Sequence, residues 1–311
     1  MKKFIIFAAA ALSLAACSNE VEENFDDTPV AARITAGVET RAINDKWEED
    51  YIGVMVIDGN TKMQEAYKNV GYKTSAKNTE TAIFEAYGDS IFFKGPEEAI
   101  FVAYGPWDSS TNDNELPGTD GVISGDTQYI QQERDGQQDI DYIYASGYTG
   151  SLDKPDVNFI FKHVMARLVI NVKASTESGI AAKDLLDGYY TLSGLIHSGT
   201  FNVTTGVTKA DENVQAIDDW ELQGYSVASK GTNDITFTAI LFPQTLSKDL
   251  VFKAQIDGRY YTATFKPELT SGKSYTCNIT VKKAELSIAG ATVSDWEDSD
   301  NSGEAVDAGL E

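Results

Sequence analysis

The chain has 311 residues, enough for two domains of modest size, and its 48 acidic and 25 basic side chains give a formal net charge of -23. That charge excludes the basic surface that nucleic-acid binding requires and an electrostatic hold on anionic lipid, while a hydrophobic content of 42% is typical of a globular protein. Two histidines and two cysteines are too few to build a zinc, copper or haem site, so we expect no cofactor.

The N-terminus predicts export. A positively charged start is followed by a small and apolar stretch from Phe4 to Ala16, which is too short for a membrane span and is typical of a secretory signal. The stretch ends in Leu14-Ala15-Ala16-Cys17, which resembles the bacterial lipobox. The resemblance implies removal of a signal peptide at 1–16 and acyl chains such as palmitate on Cys17, which would anchor the chain in the outer membrane. The alternative is an ordinary secretory signal with a chance cysteine.

Residues 17–41 are expected to form an acidic tether followed by a removable strand. From Val30 to Thr40, apolar side chains at alternate positions point the same way; these are Val30, Ala32, Ile34, Ala36 and Val38. The strand is predicted to stand apart from two domains, which we place at 42–152 and 153–311. A polar joint around Gly150 to Asp156 marks the boundary between those domains.

The body is predicted to consist of β structure, because short apolar runs alternate with clusters of Gly, Asn and Asp. Tyr51 to Ile57 and Ala99 to Tyr104 are candidates for continuous buried strands. Ile91 to Phe93 and Ile140 to Tyr144 are candidates for shorter strands. Helix is favoured only at Ile180 to Leu186.

Period-two patterns continue through the second half. From Phe159 to Lys173 the even positions, which include Ile160, share one apolar face and predict a single long strand. Ile235 to Leu241 and Tyr275 to Val281 alternate in the same way, which makes Cys277 a core residue. Because helices and strands do not alternate, we expect an all-β fold of antiparallel sandwiches and no parallel sheet.

A hairpin is predicted at Asp257-Gly258, a preferred pair for a two-residue type I′ turn. With that loop, three apolar pairs face each other on one side of the hairpin: Leu250 with Phe265, Phe252 with Ala263, and Ala254 with Tyr261. The turn chemistry and the hydrophobic pattern give the same register independently.

A series of short motifs follows the lipobox and the first strand in a defined order. The motifs are Thr40-Arg41-Ala42, Trp47, Tyr51-Ile52-Gly53-Val54, Phe161 to Leu168, Gly199-Thr200-Phe201-Asn202, Phe242-Pro243-Gln244-Thr245, Ser271 to Tyr275 and Trp296. Together they resemble the fimbrillins, the type V pilins of the Bacteroidales. The resemblance implies two transthyretin-like antiparallel β-sandwich domains in tandem, and a fimbrial subunit for cell adhesion at the cell surface, not an enzyme.

The resemblance also implies processing outside the cell. An arginine-specific protease would cut between Arg41 and Ala42, release the first strand, and let a strand of another fimbrial subunit take its place by donor-strand exchange. Before processing, the partner would be outer-membrane lipid, held through Cys17. Arg33 is a competing cleavage site, but a cut there would split the strand. In the plainest alternative, Arg41 is a solvated loop residue.

The donor strand is expected near the C-terminus. The segment 284–296, with Leu286, Ile288 and Trp296 on one face, is a better candidate than the acidic tail 297–311. The weak tail leaves open a tip, anchor or accessory subunit instead of a stalk repeat. The alternative function is a monomeric surface-exposed lipoprotein that binds glycan or protein ligands through its loops.

No catalytic or metal site is expected. His163 is predicted to be a hydrogen-bonded structural histidine, and His197 lies near a predicted turn with no local partner for catalysis. The acidic stretches Asp108 to Glu115 and Asp295 to Asp300 do not match an ordered calcium loop, so we interpret them as solvated loops.

Overall fold

The computed structural model describes residues 29–38, 46–57, 64, 66–93, 97–128, 136–222, 234–283 and 286–296. More than half of these residues lie in strands, and the two helices among them have four and five residues. None of the helices in these ranges has the length and apolar character needed to cross a membrane.

The first half of the chain contains one short helix, α1 (Gln137–Ile140), among twelve strands of the described ranges. The strands are β1 (Val30–Ala31), β2 (Arg33–Val38), β3 (Trp47–Glu48), β4 (Tyr51–Ile57), β5 (Val70–Lys73), β6 (Lys77–Thr79), β7 (Thr81–Ala86), β8 (Phe92–Phe93), β9 (Ala99–Gly105), β10 (Val122–Asp126), β11 (Ile143–Gly150) and β12 (Asp156–His163).

The second half contains the helix α2 (Ala182–Leu186), which lies inside the segment predicted to be helical. Its strands are β13 (Ala166–Ala174), β14 (Tyr189–Ser193), β15 (Ser198–Asn202), β16 (Val207–Ala210), β17 (Trp220–Glu221), β18 (Asp234–Leu241), β19 (Leu250–Ile256), β20 (Arg259–Phe265), β21 (Lys273–Val281) and β22 (Leu286–Asp295).

Seven strands of the first half close into a barrel in the order β11-β12-β2-β7-β5-β4-β9. Alternate side chains of these strands point inward and form one apolar cluster. Its largest members are fully buried, and they include Trp47, Phe101, Phe159 and Phe161. The first half is therefore a closed barrel, whereas the resemblance implied an antiparallel sandwich.

The second half consists of two four-stranded sheets that share one apolar cluster. Their strand orders are β18-β13-β21-β22 and β17-β14-β19-β20. Leu168 and Ile170 of the first sheet belong to the same cluster as Phe252 and Ala254 of the second. The two sheets therefore face each other across a common core.

The two halves are joined by a third core and by backbone pairing. Met55 and Tyr104 on the outer side of the barrel share a buried cluster with Phe201 and Phe242 of the second half. Strand β10 leaves the first half and pairs with β15 of the second, from Val122↔Asn202 to Asp126↔Ser198.

Several predicted elements are confirmed. Both long buried strands are present as β4 and β9, and the hairpin β19–β20 has the predicted register, from Leu250↔Phe265 to Ile256↔Arg259. The turn residues Asp257 and Gly258 have φ values of 50° and 70°, as a type I′ turn requires. Cys277 is 1% exposed in β21.

The long strand predicted from Phe159 to Lys173 is wrong, because the chain breaks at Val164-Met165 and passes from one core to the next. Before the break the odd positions are buried and Ile160 is 51% exposed; after it the even positions are buried. The strand predicted at Ile140 to Tyr144 is also wrong, because α1 ends at Ile140 and β11 begins only at Ile143.

Parallel pairing, which was not expected, occurs twice. Strand β12 runs parallel to β2, and β13 runs parallel to β21. In each pair, the chain passes through several other strands before it returns to run parallel to the first one. The sequence therefore lacks the alternation of strand and helix from which parallel sheets are usually predicted. Because β12 packs into the barrel core, we propose that the division between the two units follows His163, later than the joint at 152/153.

Candidate functional site

The candidate site is the slot that holds strand β2 in the barrel. One edge of β2 runs parallel to β12, from Arg33↔Asp156 to Val38↔Phe161. The other edge runs antiparallel to β7, from Ile34↔Phe84 to Gly37↔Thr81. The strand predicted to stand apart is thus an internal strand of the first half. Without it, β12 and β7 would each present an unpaired edge at the gap.

The inner side of β2 fills the barrel core. Ala32, Ile34 and Ala36 are 7%, 1% and 1% exposed. Trp47 closes over the end of this row, where its indole Nε1 donates a hydrogen bond of 2.8 Å to the carbonyl oxygen of Ala36. Its ring makes edge contacts with Phe84 at 4.9 Å and with Phe161 at 5.8 Å. The slot therefore accepts a large side chain at position 34 between small ones at 32 and 36.

The outer side of β2 forms polar contacts with β12. The Arg33 guanidinium donates two hydrogen bonds, of 2.6 and 2.8 Å, to the Asp156 carboxylate. The Thr35 hydroxyl donates to Oδ1 of Asn158, two positions along. The hydrogen bond from Arg33 holds the pKa of the Asp156 carboxyl below its ordinary value. Because these groups are exposed, they select the register of β2 more than they add to its stability.

The start of β2 is tied down by neighbouring loops. The amide of Ala32 donates to the carbonyl oxygen of Ile91 at 2.8 Å, and that of Arg33 donates to the carbonyl oxygen of Pro155 at 2.8 Å. The preceding strand β1 pairs with β8. The described part of the N-terminal segment is therefore bound along its whole length.

The residues predicted for lipidation and cleavage lie outside the described part of the chain. Cys17, Arg41 and Ala42 fall in the ranges 1–28 and 39–45. The scissile bond predicted after Arg41 follows the end of β2 at Val38 by three residues. The competing site Arg33 lies inside β2 and is held by Asp156, so a protease would meet it in a fully paired strand.

Sequence analysis missed the partners that form the slot. Trp47 was noted only as part of a motif, and Asp156 and Asn158 were not singled out. The two β12 residues lie 123 positions away in the sequence from the β2 side chains that they contact. Because local sequence patterns carry no information about pairing at that separation, these contacts could not be predicted.

The C-terminal strand β22 lies at the edge of its sheet, antiparallel to β21. It leads into Trp296, which is 2% exposed and stacks on the ring of His163 with centroids 4.4 Å apart and planes 3° apart. Nδ1 of His163 lies 2.7 Å from the Asp141 carboxylate. The buried ring of His163 therefore connects the end of β12 with the end of β22.

Metal chemistry finds no support in the described ranges, where no group of three or more His, Cys, Asp or Glu side chains could hold an ion. His197 is buried, and its Nδ1 lies 3.0 Å from the carbonyl oxygen of Thr127. Burial lowers the pKa of His197 below its ordinary value. These contacts give the histidine a structural role.

Comparison with known proteins identifies the family. A candidate cell adhesion protein from Bacteroides ovatus is 25% identical, with a TM-score of 0.71 over 86% of this chain and 98% of its own. Another from Bacteroides uniformis is 24% identical, with a TM-score of 0.68 over 87% and 98%. No curated protein matched the sequence. A family model described as fimbrillin-like matches residues 40–296, so the chain belongs to the fimbrillin-like family.

Proposed function

We propose that this protein is a fimbrial subunit of the cell surface that assembles by exchange of the strand in the β2 slot. It is exported as a lipoprotein acylated on Cys17, and an arginine-specific protease then cuts between Arg41 and Ala42. The released strand gives way to a strand of another subunit, and repetition of this step builds an adhesive filament. A structural role in adhesion fits the family to which the chain belongs.

The observation that carries the proposal is the position of β2. Strand β2 and Ala32 just before it supply three buried side chains to the barrel, and β2 pairs through both edges, although it belongs to the first described range of the chain, 29–38. Its loss would expose apolar pockets and two rows of backbone groups, which is an unfavourable state that another strand relieves. A head-to-tail contact of this kind does not close on itself and therefore extends into a fibre.

The C-terminal strand is the best candidate for the incoming segment. If Ile288 takes the place of Ile34, Gly290 falls where Ala36 lies under Trp47 and keeps that position small, while Leu286 falls where Ala32 lies and is larger than the residue it replaces. Among the described strands, β22 lies at the edge of its sheet and pairs with β21 alone, so its departure would break one ladder of that part of the chain and not two. These features favour 286–296 over the acidic tail.

The proposal is tested by limited digestion of the purified protein with an arginine-specific protease. We expect a new N-terminus at Ala42, read by mass spectrometry, and a ladder of subunits in gels run without boiling. Arg41→Gln should abolish both, whereas the matched variant Arg33→Gln should leave both unchanged, because Arg33 lies within a paired strand. A protein that is cut after Arg41 and stays monomeric contradicts polymerisation.

The N-terminus of the protein recovered from cells separates the two surface roles. A chain that begins at Ala42 supports a polymerising subunit. A chain that keeps an acylated Cys17 supports an anchor or accessory lipoprotein instead.

A further inference from the structure

Three aromatic rings meet on the outside of the barrel. Tyr51 begins β4, Tyr87 follows β7 and Trp107 follows β9. The planes of the Tyr51 and Trp107 rings differ by 20°, and their centroids are 6.3 Å apart. The ring of Tyr87 meets both edge-on, at 82° to Tyr51 and 67° to Trp107, with centroid distances of 5.4 and 5.5 Å. We call these three residues the aromatic corner. Tyr51 is 42% exposed and Tyr87 is 55% exposed, so its apolar faces meet water.

The corner is held rigidly by the strands beneath it. The indole of Trp107 lies on the backbone at Gly71 and Gly53, where an added Cβ would come within 2.5 and 2.9 Å of the ring. Its Nε1 donates a hydrogen bond of 3.1 Å to Oδ1 of Asn69, which is fully buried. Two glycines and a buried amide thus hold the indole in place, so ligand binding would cost little conformational entropy at this side chain.

Polar groups surround the corner. The Lys73 ammonium lies 5.5 Å from the centroid of the Tyr87 ring. Within the described part of the chain, neither this ammonium nor the hydroxyls of Tyr51 and Tyr87 has a hydrogen-bond or ion-pair partner. An apolar surface bordered by a few polar groups that face water is the usual composition of a small-ligand site.

We propose that the aromatic corner binds a pyranose ring of a neutral glycan. One face of a pyranose carries C–H bonds, whose positive polarisation suits the negative face of an aromatic ring, and its edge carries hydroxyls that suit the ammonium and the phenols. The acidic chain, with a net charge of -23, disfavours sialylated or sulfated sugars. A second copy of this chain fits less well, because charged residues border the rings, among them Lys73 and its cross-strand neighbour Glu85.

Fluorescence offers a readout specific to this site. The chain has four tryptophans, and three of them, Trp47, Trp220 and Trp296, are 0%, 6% and 2% exposed. Iodide should therefore quench Trp107 preferentially. We would titrate the full chain with maltohexaose, cellohexaose, mannohexaose, xylohexaose and lacto-N-tetraose, and with 3′-sialyllactose as an acidic probe. At least one neutral probe should protect Trp107 from iodide, with a dissociation constant on the order of 0.01–1 mM.

Tyr87→Ala should weaken that binding about tenfold or more, since it removes one wall of the corner. Tyr260→Ala is the matched control, because Tyr260 is 80% exposed on the second half and should leave binding unchanged. Tyr87→Phe keeps the ring and should lose less than Tyr87→Ala. Gly71→Ala, which displaces the indole, gives a second disruption that leaves Tyr87 in place.

The proposal is overturned if no neutral probe protects Trp107 at 5 mM, if the acidic probe binds as well as the neutral ones, or if Tyr260→Ala weakens binding as much as Tyr87→Ala. It is also overturned if Tyr87→Ala abolishes subunit ladders while glycan binding persists, since the corner would then be an interface between copies. The glycan titration does not depend on strand exchange in the β2 slot, so the two proposals can fail separately.

Discussion

Replacing Ile34 with alanine should loosen β2 without touching its backbone partners. Ile34 is 1% exposed in the barrel core, and the change removes three carbon atoms from that core. At about 0.8 kcal/mol for each buried methylene group, the lost transfer free energy is about 2.4 kcal/mol. The cavity left behind raises the cost to about 3–4 kcal/mol, because a barrel closed on both sides of β2 cannot collapse freely.

Hydrogen exchange followed by mass spectrometry measures this effect locally. When β2 leaves its slot, amides of β7 and β12 that pair with it become exposed, so peptides covering 81–86 and 156–163 report the opening. A cost of about 3–4 kcal/mol predicts exchange roughly 100 to 1,000 times faster in these two peptides. The hairpin peptide at 250–265 lies in the second core and should keep its rate.

Ile83→Ala is the matched control, since Ile83 lies on the adjoining strand β7 but is 73% exposed. We expect it to change stability by less than about 0.5 kcal/mol. The reasoning is refuted if Ile34→Ala leaves exchange at 81–86 and 156–163 unchanged. It is refuted equally if the rate rises as much at 250–265, because β2 would then act on global stability and not as a separate unit.

Three further outcomes follow from local contacts. Gly258→Ala should lower the free energy of unfolding by about 1–2 kcal/mol in a thermal or urea melt, since Gly258 has a φ of 70°. Gly88→Ala is the control and should be close to neutral, because an added Cβ meets open space at both positions but Gly88 is not among the residues with positive φ. Burial raises the pKa of Cys277 to about 12, so peptide mapping should find the Cys277 thiol unlabelled by iodoacetamide at pH 8 until the chain unfolds. Because the folded state holds this thiol neutral, the contribution of Cys277 to stability should be lost as the pH rises above the ordinary pKa of a thiol. The hydrogen bond from Arg33 lowers the pKa of Asp156, so any stability that this carboxylate adds is present at neutral pH and is lost as the pH falls through the lowered pKa. The free energy of unfolding of Asp156→Asn should therefore match that of the wild type in acid, and also in 1 M salt, which screens the ion pair.

Local chemistry made parts of this fold predictable. The hairpin at Asp257-Gly258 is determined by two turn residues and the alternation beside them, so its register could be derived from 16 neighbouring residues. The break at Val164-Met165 could not, because Val164 continues the even-numbered apolar pattern of β13 and hides the change of core.

The candidate site divides in the same way. The predictions of a lipobox and of cleavage after Arg41 come from short motifs that are read locally in the sequence, whereas the slot cannot be read in that way. Its walls are β7 at positions 81–86 and β12 at positions 156–163. The parallel pairing of β2 with β12 could not be predicted, because neither a tight turn nor a crossover helix connects the two strands. The alternation of apolar side chains in 30–38 indicated that one face of this strand would be buried, but it did not indicate which strands that face would pack against.

Strand β10 has a mechanical consequence. It carries backbone hydrogen bonding from the first half into a sheet with β15 and β16, beside the shared core of Met55 and Phe242. Any hinge motion between the halves must break that ladder and open that core together, so the two halves should move as one rigid unit. In the fibre that we propose, bending under flow would therefore concentrate at the joints between subunits, and the stiffness of the filament would depend on the strand that occupies each joint.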